Sequence, residues 1–382
     1  MKYSKKILSK VFVLILCSAV AVTILVAQQF KKESLQTKTQ QQSQEVNLKR
    51  ASFWESLGNK VVACKLCPHR CVLKKGETGF CRARKNINGT LYALTYGRPV
   101  ALHADPIEKK PLAHVYPGTR SFSIATAGCN LRCKFCQNWE ISQADAEKVD
   151  VEFVPPKEII ARTKATGCKT IAFTYTEPTI FFEYMLAVAK EAKAAGIDCV
   201  MHSAGYINEE PLRQIAPYIK AANIDLKGFS EKFYTTFTNG GLETVLRTLK
   251  ILKEEGVWVE ITNLLIPGVN DSEKEVRKLC RWVKENLGKE TPIHFSRFFP
   301  LYKLANLSPT PISSLMMAQR VAEEEGLQFI YLGNIPQQTG EQTICPVCGK
   351  ILLKRIGYNL LENNIVNGKC RFCGYAVPGV WD

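Results

Sequence analysis

Between residues 119 and 335, strand-like runs alternate with helical periodicity six times, and that rhythm constrains the fold more than any other feature of the chain. The strand-like runs are 122–127, 170–176, 198–203, 222–226, 257–265 and 293–299, and apolar residues at helical spacing fill the gaps at 157–164, 180–195, 242–255, 272–287 and 311–325. Repeated βα units place the strands parallel and the helices outside the sheet. Six units fit an α/β fold of the incomplete (β/α)6 barrel kind, whose chemistry sits in loops after the carboxyl ends of the strands. A doubly wound open sheet is the alternative.

Polar motifs fall at those ends. A C-x3-C-x2-C triplet, Cys129, Cys133 and Cys136, follows the first strand. Glu177 follows the second strand, Ser203 ends the third, and Asp225 and Lys227 close the fourth. Residues 266–270 follow the fifth, and Arg297 lies near the end of the sixth. Singly each is weak: Glu177 before Pro178 reads as a turn, and Asp225 with Lys227 as a surface ion pair. Together, at one rim, they favour a site. The triplet can hold three irons of a [4Fe–4S] cube and leaves the fourth without a protein ligand, which is where substrate chemistry occurs. A zinc knuckle borrowing a fourth ligand is the plainer reading.

Eleven of the fifteen cysteines lie in three compact clusters with metal-ligand spacing, unlike a disulfide framework, so the folded part is expected where thiols stay reduced. Residues 51–118 form an N-terminal Cys-rich module with Cys64, Cys67, Cys71 and Cys81, a complete set for zinc or an auxiliary iron–sulfur cluster, with His69 as an alternate ligand. A proline-bracketed polar loop, 105–112, leads from it toward the barrel at 119–335. Residues 336–382 carry Cys345, Cys348, Cys370 and Cys373 in paired C-x2-C-G knuckles, a zinc-ribbon-like module stapled by tetrahedral sulfur coordination with zinc as the expected metal. Cys17, Cys168, Cys199 and Cys280 stand in apolar or helical surroundings and read as packing.

Residues 1–30 read as a membrane-anchor helix: an uncharged run from Val11 to Phe30 lies between Lys10 and Lys31, with a cleaved signal as the competitor. Lysines nearly balance across it, so the side of the membrane that holds the catalytic domain is left open. Residues 31–50 are a polar tether. The net charge of +16 favours acidic partners, whether nucleic acid, anionic lipid or protein, but the excess is diffuse.

The triplet with Phe135 before its last cysteine resembles the signature of the radical S-adenosylmethionine (radical SAM) superfamily. The central module resembles activases of the pyruvate formate-lyase activating type. Residues 60–382 resemble the radical SAM member of the AmmeMemoRadiSam group through Cys64–Cys81, Asp105–Leu112, Gly128–Asn138, Tyr175–Phe182, Asn223–Lys227 and His294–Pro300. The resemblance implies that Cys129, Cys133 and Cys136 bind a [4Fe–4S] cluster whose open iron takes S-adenosylmethionine. Glu177 stands for the acidic residue that accepts from the methionine ammonium, and Ser203, Asp225 and Lys227 for further cofactor contacts. It further implies reductive cleavage to a 5′-deoxyadenosyl radical, hydrogen abstraction from an unidentified substrate with glycyl radical generation on a protein as one outcome, and a flavodoxin- or ferredoxin-like electron donor. Two other functions compete: a radical SAM enzyme modifying RNA, and a non-catalytic membrane-bound iron–sulfur electron carrier. Ala204 and Gly205 stand where activases tend to carry Asn-Gly, and the extra cysteine cluster precedes the triplet rather than following it.

Overall fold

The computed structural model describes residues 48–335 and 341–381 together with Gln29. The expected anchor, most of the tether and Cys17 lie outside the described residues. No helix among the described residues is long and apolar enough to cross a membrane.

The frame is one eight-stranded sheet: β1 (Pro99–Pro106), β2 (Arg120–Thr126), β3 (Thr170–Phe173), β4 (Asp198–Ser203), β5 (Ala221–Asp225), β6 (Trp258–Leu265), β7 (Ile293–Arg297) and β8 (Ile330–Gly333). Strands β2 to β8 run parallel, and β1 pairs antiparallel with β2 at the edge. Spatial order follows chain order throughout. A doubly wound sheet reverses its order at a switch point, so this sheet is of the barrel type. It has one more parallel strand than the six read from the sequence. Every residue of β3 is buried, as in a strand covered on both faces.

Helices α1 (Pro156–Ala165), α2 (Phe182–Ala194), α3 (Glu209–Ile215), α4 (Leu242–Glu254), α5 (Glu273–Leu287) and α6 (Ile312–Glu324) connect the strands. Their termini follow local chemistry. Pro156 opens α1 with its φ already helical. The Ser272 hydroxyl accepts from the Glu275 N–H at the start of α5, and Gly288, at φ +97°, ends it.

The other face of the sheet is filled from the chain's own loop. Residues 107–116, most of which belong to the polar loop expected at 105–112, run into the barrel: Ile107, Leu112, Val115 and Tyr116 pack with Ala172, Val200 and Ala221. The backbone polar groups of this buried segment are met from the strands. Asn223 Nδ2 donates to the Pro111 carbonyl at 2.7 Å, and the Glu260 carboxylate accepts from the N–H groups of Ala113 and His114, both at 2.8 Å.

The cysteine-rich segment before β1 consists of two small antiparallel sheets, Trp54–Gly58 with Val61–Cys64 and Val72–Leu73, and Arg84–Ile87 with Thr90–Ala93 and Lys49–Arg50. Its buried residues, Val62, Leu66 and Leu91 among them, share one core with the barrel helices. At the other end, Thr343–Ile344, Ile351–Ile356 and Asn359–Asn363 form a sheet whose Leu352 and Leu353 pack on Ala113, Phe329 and Tyr331.

Candidate active site

The triplet loop begins at Gly128, φ +97°, just after β2. A Cβ there would sit 2.4 Å from the Cys81 carbonyl oxygen, so only glycine fits. Segment 234–238 fixes the loop from outside: the N–H of Arg132 donates to the Thr238 carbonyl at 2.7 Å and that of Lys134 to the Phe237 carbonyl at 2.9 Å. Inside, the Leu131 N–H points at Cys129 Sγ at 3.4 Å, the Ser142 hydroxyl lies 3.3 Å from Cys136 Sγ, and Asn138 Nδ2 donates to the Tyr175 carbonyl at 2.8 Å.

Four barrel strands bring polar groups to the same space. Glu177 is buried, and its Oε1 accepts from the Thr179 N–H (3.1 Å), the Thr179 hydroxyl (2.8 Å) and the Ser203 hydroxyl (2.7 Å). Oε2 accepts only the Ala204 N–H, at 2.8 Å, which leaves it room for one further donor. Asp225 lies between two partners, His202 Nε2 at 3.1 Å from Oδ1 and the Lys227 ammonium Nζ at 2.7 Å from Oδ2. Burial pushes the Asp225 carboxyl up, but Lys227 and His202 outweigh it and hold it well below the usual carboxylate range. Burial likewise disfavours the Lys227 ammonium, and the Asp225 carboxylate holds it protonated all the same, with Cys133 adding to this as a thiolate. Asn270 sets the loop that carries Lys227: its Oδ1 accepts the Ile266 N–H and its Nδ2 donates to the Lys227 carbonyl, each at 2.7 Å.

These groups face the thiols electrostatically. Burial raises the Cys129 thiol well above its ordinary value, with Glu177 adding to the shift; burial pushes Cys133 up to about 12 against the pull of Lys227. Thiols so buried ionise only against a cation, and a metal supplies one. The donor set suits the [4Fe–4S] cluster and S-adenosylmethionine that the superfamily uses: three sulfurs from one short loop, an ammonium at Lys227, and carboxylates at Glu177 and Asp225. Thr126 Oγ1, just before the loop, and Asn130 Oδ1, within it, are buried and have no hydrogen-bond partner among the described residues. Of the rim residues read from the sequence, Glu177 and Ser203 are brought together, as are Asp225 and Lys227. Arg297 instead donates through Nε to the Thr310 carbonyl at 2.8 Å. Asn138 and Asn270 lie in the loops 128–138 and 266–270 read as motifs, though neither was given a role there; His202 was not foreseen.

The other two cysteine sites differ from each other. Sγ atoms of Cys345, Cys348, Cys370 and Cys373 all lie within 4.8 Å of one another, with pairs at 3.6 and 3.8 Å. A single ion with metal–sulfur bonds of about 2.3 Å in a tetrahedron has sulfur–sulfur edges of about 3.8 Å. Cys64, Cys67, Cys71 and Cys81 instead line a pocket with His69 and Arg84. The His69 Nε2 is engaged 2.7 Å from the Asn130 carbonyl. Cys168, Cys199 and Cys280 are buried in the core, as expected of packing residues.

A parallel barrel sheet with a cysteine triplet on the first parallel strand's exit loop and charged groups on the neighbouring rims defines an iron–sulfur α/β-barrel enzyme. Residues 123–280 match the Radical SAM superfamily. An uncharacterized protein of Methanocaldococcus jannaschii, MJ0808, is 44% identical over 332 residues, 86% of this chain and 99% of that one. Pyruvate formate-lyase-activating enzyme of Staphylococcus epidermidis is 24% identical over 236 residues, covering 58% of this chain and 92% of the enzyme. The structure of Streptococcus suis SuiB bound to precursor peptide SuiA aligns with a TM-score of 0.45 at 14% identity, over 61% of this chain and 52% of that one. The chain belongs to the radical SAM superfamily. It is an enzyme of that class, similar through its barrel to the activating enzymes.

Proposed function

We propose that this enzyme cleaves S-adenosylmethionine reductively and uses the product to abstract hydrogen from a protein substrate. The observation that carries this reading is the shared space of the Cys129 triplet, Glu177 and the Asp225–Lys227 pair. When bound, the cluster and S-adenosylmethionine supply one-electron carbon–sulfur cleavage and hydrogen abstraction. The chain's own residues hold and orient. Cys129, Cys133 and Cys136 would hold the cluster, and Glu177 Oε2 and Lys227 would make charge-assisted contacts to the cofactor's ammonium and carboxylate. Asp225 keeps Lys227 charged, and Ser203 holds the Glu177 carboxylate in place.

A protein substrate, with glycyl radical formation as one outcome, and a low-potential flavodoxin- or ferredoxin-like donor follow from similarity to the activating enzymes. Assignment to the AmmeMemoRadiSam group rests on Asp105–Leu112 and the cysteine clusters flanking the barrel, Cys64–Cys81 and Cys345–Cys373. Zinc in the C-terminal site is supported by its sulfur–sulfur distances, and attachment to a membrane by the apolar run 11–30 alone. Neither RNA modification nor simple electron carriage has an observation of its own in its favour.

The test is anaerobic reconstitution with iron and sulfide, then assay of S-adenosylmethionine turnover to 5′-deoxyadenosine under dithionite. The wild type is expected to turn over and Cys133→Ala to lose both turnover and the cofactor-sensitive spectrum. Turnover retained by Cys133→Ala would contradict the proposal.

A further inference from the structure

The pocket lined by Cys64, Cys67, Cys71 and Cys81 holds a fixed cation among its walls. Arg84 is 1% exposed, and its Nη2 alone is used, donating to the Glu183 carboxylate at 2.7 Å and to the Ser52 carbonyl at 2.6 Å. Its Nε and Nη1 are buried without any partner. Buried guanidinium N–H groups are costly to leave unmet, so the pocket is built for something that accepts hydrogen bonds. The sulfurs of a metal–thiolate centre do so.

The spread of the sulfurs decides which kind. The C-terminal four thiols close to single-ion distances, whereas among the described residues no three of Cys64, Cys67, Cys71 and Cys81 have sulfurs all within 4.8 Å of one another. The Cys129 triplet is spread in the same way. Four irons at the corners of a cube stand between their thiolates and hold them further apart than one ion does. Gly79 lies between two of the four, its Cβ position 3.8 Å from both Cys71 Sγ and Cys81 Sγ, and the Phe80 N–H points at Cys71 Sγ at 3.4 Å.

We propose that Cys64, Cys67, Cys71 and Cys81 bind a second [4Fe–4S] cluster, fully coordinated by protein, with Arg84 Nε and Nη1 donating to its sulfurs. Four cysteines leave no iron open, which reserves the site for electron transfer. It abuts the triplet loop: the Cys81 carbonyl touches Gly128, Asn130 lines the pocket, and Arg132 donates to the carbonyls of both Cys129, at 2.8 Å, and Phe80. Each transfer moves one electron, oxidising a low-potential donor of the ferredoxin or flavodoxin class by one and passing it toward the Cys129 loop. That direction of transfer rests on the function proposed above; the cluster itself does not.

Metal analysis of the full chain, purified without oxygen and reconstituted, tests it. The wild type should carry about eight irons and about one zinc. The triple variant Cys129→Ala/Cys133→Ala/Cys136→Ala should keep about four irons, with a dithionite-reduced EPR signal that S-adenosylmethionine does not alter. Arg84→Lys keeps the charge opposite Glu183 but lacks the free donors, so it should retain its iron and show a lower midpoint potential for that signal. About four irons in the wild type, all lost in the triple variant, with a second zinc in their place, would overturn the inference. About four irons that survive in the triple variant and vanish in Cys64→Ser/Cys67→Ser would instead support it and remove the function proposed for the triplet. The wild-type iron and zinc count decides the matter even where a variant fails to fold.

Discussion

Glu177 shows how a single side chain serves both packing and chemistry. Three donors fill Oε1 and tie the exits of β3 and β4 together, while Oε2 is left with capacity to spare. Glu177→Gln turns an acceptor into a donor facing the Ser203 hydroxyl or the Ala204 N–H. We expect a loss of about 1–3 kcal/mol in urea unfolding and a loss of S-adenosylmethionine affinity of roughly tenfold to a hundredfold by calorimetry. Stability unchanged in that variant would mean that the carboxylate bonds are dispensable. Glu177 was readable in advance because it stands at a strand exit. His202 was not, since its partner Asp225 lies 23 residues away and no local spacing marks it; Asn270 stood in the loop 266–270 read as a motif, but its bond to Lys227, 43 residues away, could not be read.

At the scale of elements, the segment 107–116 is joined to the C-terminal end of the chain through His114. Its Nδ1 donates to the Pro378 carbonyl at 2.7 Å, so Nε2, 2.8 Å from the Tyr331 hydroxyl, is the acceptor of a neutral ring. Burial lowers the ring from 6.5 to about 4. A folded-state value below the unfolded one gives stability that is complete above pH 6.5 and is lost as the pH falls through 4, because the unfolded chain binds the proton more readily. The full effect is roughly 3 kcal/mol. Urea midpoints should therefore fall between pH 6.5 and pH 4, and His114→Gln should flatten that fall; an equal slope in both proteins would rule the ring out as its source. Legibility also varied by element. The six alternating strands stand out because period-2 runs and helical runs differ plainly. β8 has only four residues and merges with the apolar stretch around it, and β1 begins and ends in proline, a residue that argues against a central strand but suits an edge. The path of 105–112 into the barrel could not be read from its polar composition, since Asp105 and Lys110 neutralise each other at 2.7 Å out of sight of solvent.

For the whole molecule, the C-terminal sheet is the part that would depend most on the metal proposed for Cys345, Cys348, Cys370 and Cys373. It holds few buried side chains besides Leu352 and Leu353, and Arg355 ties it to the rest by donating to the Ala113 carbonyl at 2.6 Å. A segment this small rests on its sulfur cluster. Treatment with a zinc chelator should strip hydrogen-exchange protection from Ile351–Ile356 and Asn359–Asn363 while β3 to β6 keep theirs; protection lost equally across the barrel would show that the segment is no separate cooperative unit. The contact between Gly128 and the Cys81 carbonyl reaches further still. A spot too tight for a methyl group makes two neighbouring loops a single fixture, so neither can be remodelled while the other stays still. With a cluster in each loop, as proposed above, a substitution that shifts the seat of one is expected to disturb the seat of the other.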